Sequence, residues 1–165
     1  MKILYDDVSS EYSYPLSKKD VGKIKKYLPS GLSDIIKNIR FGCNTKTTQE
    51  GRTVKRGRFY DIKINFCLKN FQSIILAENK DYIEEIKRFG GKINFETRLI
   101  GWNKSNAKRY AYYILLHEIS HIIYSENYLD AKLNSKSSVK EEQWCNNNSL
   151  QMLKNIEREE GITEN

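Results

Sequence analysis

Residues 110–124 read YAYYILLHEISHIIY, and this apolar run holds His117 and His121, the only two histidines of the 165-residue chain. No Gly or Pro interrupts the run, and its spacing predicts a helix from a cap at Ser105 to about Tyr124. Positions four apart share one helical face, so both imidazoles can reach a single metal ion. Glu118 stands beside them in the pattern HExxH, where a glutamate serves as general base to a metal-activated water. Ala111, Leu115, Ile119 and Ile122 form the stripe that should enter the core. Tyr110, Ile114, His117, Glu118 and His121 form the stripe that should line a cleft.

Upstream, Ser17 and Asp20 form a capping pattern before the apolar stripe Val21, Ile24, Tyr27 and Leu28, and Pro29-Ser30-Gly31 ends that segment. A second short helix is expected from Leu32. Ile39, Phe41 and Cys43 alternate as in a strand, as do Phe59 to Leu68 and Ile93 to Leu99, and Ser73 to Ala77 reads as a buried strand. Asn44 to Arg58 is polar and basic, with Gly51 and Gly57, and reads as a hairpin or mobile loop. Asn79 is the expected N-cap of a helix that Gly90-Gly91 stops. Downstream of the histidines, residues 128–138 read as a loop and Val139 to about Glu160 as a last helix. Strands first and motif-bearing helices last give an α+β layout in a single domain spanning residues 1–165.

A hydrolytic zinc site takes three protein ligands and a water. With no third histidine in the chain, a carboxylate must complete the set. The final helix offers Glu141 and Glu142, the latter 21 residues after His121.

HExxH followed about twenty residues later by a helical glutamate resembles the gluzincin arrangement, in which a small residue follows the ligand three positions on and Asp or Asn four positions on. Glu142-Gln143-Trp144-Cys145-Asn146 matches that pattern, whereas a shift to Glu141 would put bulky Trp144 at the small position. The pairing over His117 to Leu153 is most similar to the compact ImmA/IrrE-like metallopeptidases. It departs from them at Ser120, where they show Gly, and at Asn148, where they show Phe. The resemblance implies a minimal zincin-like domain, in which a small, mostly antiparallel twisted sheet packs on the HExxH helix and on a C-terminal helix carrying the third ligand. It implies Zn²⁺ held by His117, His121 and Glu142, with Asn146 holding an imidazole, Glu118 as general base, and hydrolysis of a protein or peptide substrate. The substrate would lie as an added strand on a sheet edge, for which Phe59–Leu68 and Lys92–Ile100 are the candidates. Tyr110, Tyr124 and Tyr128 are candidates to stabilise an oxyanion.

Composition bounds the alternatives. The chain is 39% hydrophobic and 12% aromatic, which opposes disorder. No apolar run approaches the roughly 20 residues that span a bilayer, and the start has no signal-peptide core, so a cytoplasmic location is the expectation. Cys43, Cys67 and Cys145 form no CxxC pair and are expected to be reduced thiols. Net charge is +7, and residues 1–70 hold 15 Lys/Arg against 7 Asp/Glu. Lys46, Arg52, Lys55, Arg56 and Arg58 sit in one stretch of that basic half. The rival reading is therefore weak nucleic-acid association, or an inactive metal-binding regulatory module.

Overall fold

The computed structural model describes residues 1–43, 49–127 and 138–160. The architecture is α+β, with two sheets rather than one. The first sheet contains β1 (Lys2–Tyr5), β3 (Ile36–Phe41), β4 (Gly51–Arg56) and β5 (Phe59–Ile64), in the order β1-β3-β5-β4. β1 and β3 pair in parallel, as do β3 and β5, while β4 and β5 form an antiparallel hairpin. Gly57, at φ +62°, stands in the two-residue turn of that hairpin, a place that favours glycine. This sheet is mixed, and the expected single sheet is two, whose described strand pairings are mostly antiparallel. The short second sheet is antiparallel throughout. It links β2 (Tyr12–Ser13), β6 (Leu68–Lys69), β7 (Gln72–Ile74), β9 (Leu99–Gly101) and β8 (Lys92–Asn94), in that order.

Around the sheets run α1 (Lys18–Lys23), α2 (Leu32–Ile35), α3 (Lys80–Arg88), α4 (Lys104–Asn127) and α5 (Val139–Glu160). The Ser17–Asp20 capping box forms at the start of α1, and Asn79 caps α3. At α4 the cap is Asn103 rather than Ser105: its side chain accepts the Asn106 amide at 2.7 Å.

Two sequence expectations change and one is decided. The alternating stretch Ile93–Leu99 is not one strand but the two short strands β8 and β9, with Arg98 turning the chain at φ +55°. Of the two readings of Asn44 to Arg58, hairpin or mobile loop, the described part takes the first: Gly51–Arg56 is β4, an arm of the β4–β5 hairpin. Cys43 and Cys67 are not free thiols; they form a disulfide with Cα atoms 5.4 Å apart. The sheet explains this pairing. Phe41 and Ile64 are partners at the ends of the adjacent parallel strands β3 and β5, so the chain just beyond each end carries the two cysteines side by side. Cys145 alone remains a free thiol, and it is buried. The disulfide removes the thiol argument for a reducing compartment. No described helix is long and apolar enough to cross a membrane.

Helix α4 lies at the centre. It packs on β4 and β5 on one side and on α5 on the other. Its buried residues lie all round its circumference, including Tyr110 and Ile114, which the sequence placed on a cleft wall. The cleft face is therefore shorter than expected and centres on the histidines. Helix α5 runs antiparallel to α4: Glu141 meets His121, Asn146 meets Tyr113, and Glu157 meets Arg109.

Candidate metal centre

The α4–α5 packing brings His117, His121 and Glu142 together. Each offers one ligand atom, and these atoms lie within 4.8 Å of one another. His117 Nε2 is 3.1 Å from His121 Nε2. The Glu142 carboxylate lies across the gap, 3.3 Å from His117 Nε2 and 3.7 Å from His121 Nε2. Donor atoms about 2.0–2.2 Å from a tetrahedral ion stand roughly 3.3–3.6 Å apart; the two imidazole nitrogens and the Glu142 oxygen nearer His117 come close to that spacing, while the 3.7 Å contact is made by the other Glu142 oxygen. Two imidazole nitrogens this close repel when both present lone pairs; a proton or a cation between them removes the conflict. The donor set therefore fits a small divalent ion.

Glu141, the other candidate, does something different. It is 3% exposed, and its Oε1 lies 2.8 Å from His121 Nδ1. A buried carboxylate there accepts the Nδ1 proton and leaves the Nε2 lone pair pointing at Glu142. The resemblance assigned that holding task to Asn146. In the fold Asn146 turns away and its Oδ1 accepts from the Tyr113 hydroxyl at 3.0 Å. Cys145 is the small residue that lets α5 approach: it is fully buried, with Sγ 3.5 Å from His121 Nδ1. Burial first, then the nearby Glu142 and Glu141 charges, push its thiol pKa well up, so it is an inert packing group. His117 Nδ1 is buried with no hydrogen-bond partner among the described residues. Burial works against charging His117, but the hydrogen bond to Glu142 and the charges of Glu118, Glu142 and Glu85 outweigh it and raise its pKa.

Glu118 is 7% exposed and lies between α4 and β4. The Thr53 hydroxyl donates to its Oε2 at 2.8 Å. Burial raises its carboxyl above the usual range, while His117, the Thr53 hydrogen bond and His121 pull it down. Opposing influences of this kind suit a proton acceptor working near neutral pH.

Gly51 and Thr53 of β4 are the residues that spacing alone did not reveal. Gly51 read as a loop breaker, yet it stands where a Cβ would come within 2.7 Å of Glu118 Cγ. The one available signal was a glycine inside a strand-length stretch, which marks a close approach.

The tyrosine candidates fall elsewhere. Tyr110 is fully buried, stacks on Trp102, and its hydroxyl bonds Glu50 and Glu85. Tyr124 is buried against Trp144. Tyr128 and Lys46 lie outside the described residues. Of the basic stretch, Lys55 pairs with Glu126, Arg56 pairs with Asp61, and Arg58 stacks on Phe59. The candidate substrate edges also change: β5 is interior to its sheet and β8–β9 belong to the other one, while β4 is the edge strand beside Glu118.

No protein-family model, characterised protein or solved structure matches this chain.

Proposed function

We propose that the chain is a zinc-dependent metallopeptidase of the gluzincin type, with His117, His121 and Glu142 as ligands and Glu118 as general base. The observation that carries this reading is the convergence of one donor atom from each of His117, His121 and Glu142 within 4.8 Å of one another, with both histidines on the helix that also carries Glu118. A zinc ion in such a set would polarise a scissile carbonyl and lower the pKa of a water to about 7.

The remaining work falls to the protein. Glu141 fixes the tautomer and the ring direction of His121. Glu118 takes a proton from the attacking water and passes it to the leaving amine. Among the described residues β4 pairs only with β5, and this edge supports an extended peptide as substrate, since an added strand there would pair with backbone groups next to Glu118. Lys55 and Arg56 pair with Glu126 and Asp61 at the surface, and no second reading is put forward.

The test is cleavage of a denatured protein by wild type and Glu118→Gln. The variant is expected to keep its zinc and lose roughly 10²–10⁴-fold in turnover. Unchanged turnover in Glu118→Gln would remove Glu118 from the mechanism.

A further inference from the structure

Strand β4 runs alongside α4, with Thr53 at Glu118 and Lys55 at Glu126. Thr53 is 7% exposed and pairs across the ladder with Ile62, so the β5 hairpin fixes its backbone. Being β-branched, Thr has a stiff χ1, and the direction of its hydroxyl follows from the strand. That hydroxyl is 2.8 Å from Glu118 Oε2 and 3.1 Å from the Glu118 carbonyl oxygen. Its single proton serves the nearer acceptor, the carboxylate, with the carbonyl oxygen of the same residue beside it, so a point fixed on β4 holds the carboxylate.

Gly51 acts on the same side chain from the same face of β4. A Cβ there would stand 2.7 Å from Glu118 Cγ and 2.8 Å from Cδ, nearer than real side chains approach. Gly51 has no positive φ, so the glycine is there for space rather than for backbone freedom.

We propose that Thr53 is a positioning residue: its hydroxyl holds the Glu118 carboxylate in its working orientation, in a space that Gly51 leaves open. This rests on Glu118 acting as general base. A glutamate side chain has three rotatable bonds, and misplacement of a reacting group by 1 Å can cost about 100-fold in rate. A hydroxyl that fixes the carboxylate should therefore affect turnover and leave substrate binding and metal content alone. A hydroxyl that merely satisfied a buried group would affect folding stability only.

The experiment compares wild type, Thr53→Val, Thr53→Ser and Gly51→Ala in two ways. The first is steady-state cleavage of a denatured, labelled protein, with zinc content measured on the same samples. The second is the ¹³C signal of the Glu118 Cδ in metal-free protein, assigned by its loss in Glu118→Gln. Thr53→Val is expected to keep its zinc and its KM, lose about 10–100-fold in kcat, and shift the Cδ signal. Thr53→Ser should restore both, and Gly51→Ala should lose kcat with zinc retained. Wild-type kcat with an unmoved signal in Thr53→Val overturns the proposal, as does a Thr53→Ser variant as impaired as Thr53→Val. A shifted signal in a protein that binds zinc but cleaves nothing would overturn the peptidase reading and support the hold of Thr53 on Glu118.

Discussion

Glu141 and Glu142 are adjacent on one helical turn, yet they approach His121 from opposite sides of its ring. Glu142 faces Nε2 at 3.7 Å and stays 44% exposed, while Glu141 meets Nδ1 at 2.8 Å and is buried. Adjacent helical positions point about 100° apart, so one glutamate enters the site and the other enters the helix interface. The histidine pair and both glutamates were legible in the sequence because helical periodicity is local. The division of labour between the glutamates was not, because it depends on how α5 lies on α4. Removing Glu141 leaves a buried ring nitrogen without its acceptor. Glu141→Ala is expected to lower zinc affinity about 10–100-fold, and Glu141→Gln less, as read by competition with a chromophoric chelator. Equal affinity in wild type and Glu141→Ala would remove Glu141 from its role.

At the scale of elements, α4 and α5 were the readable parts, being long, periodic and bounded by clear signals. Strand β4 was not. As an edge strand it exposes Arg52 and Arg56, and at the one inward position before Thr53 it carries glycine, so it lacks the alternation that marks a half-buried strand. β1 is too short for periodicity to register. The disulfide was invisible because Cys43 and Cys67 are 24 residues apart and meet only through the β3–β5 pairing. Closing a loop of this length should stabilise the fold by about 3 kcal/mol. Cys67→Ser is expected to lose that amount in urea unfolding, and the unfolded, unreduced wild type should yield one alkylatable thiol rather than three. A further interhelical tie joins two of the positions that depart from the ImmA/IrrE-like pattern: the Asn148 side-chain amide donates to Ser120 Oγ at 2.9 Å. A double-mutant cycle of Ser120→Ala and Asn148→Ala should give a coupling of about 1 kcal/mol, whereas strictly additive changes would contradict the pairing.

Across the whole molecule, charge is unevenly arranged: a chain of net charge +7 gathers its buried carboxylates around α4. Beside the buried Glu118 and Glu141 stands Glu50, half-buried, whose carboxylate accepts from Tyr82 at 3.2 Å and from Tyr110. The Tyr110 hydroxyl also reaches Glu85 at 3.1 Å, so one hydroxyl proton lies between two carboxyl groups. Burial raises Glu50 to about 7, with Glu85 adding to the rise and the tyrosine hydrogen bonds opposing it. Glu50 therefore binds its proton more tightly folded than unfolded. Its contribution to stability is complete below its ordinary value of 4.5 and is lost as pH rises through about 7. The stability of wild type relative to Glu50→Gln should fall by about 2 kcal/mol between pH 5 and pH 8, measured by urea unfolding at each pH. A pH-independent difference would contradict the burial of this carboxyl. The central claim is the site that α4 and α5 form together, and zinc content tests it most directly. After zinc loading and dialysis, wild type is expected to retain one ion per chain, and His117→Ala and Glu142→Ala far less. Wild type that retains no more zinc than His117→Ala would contradict the account.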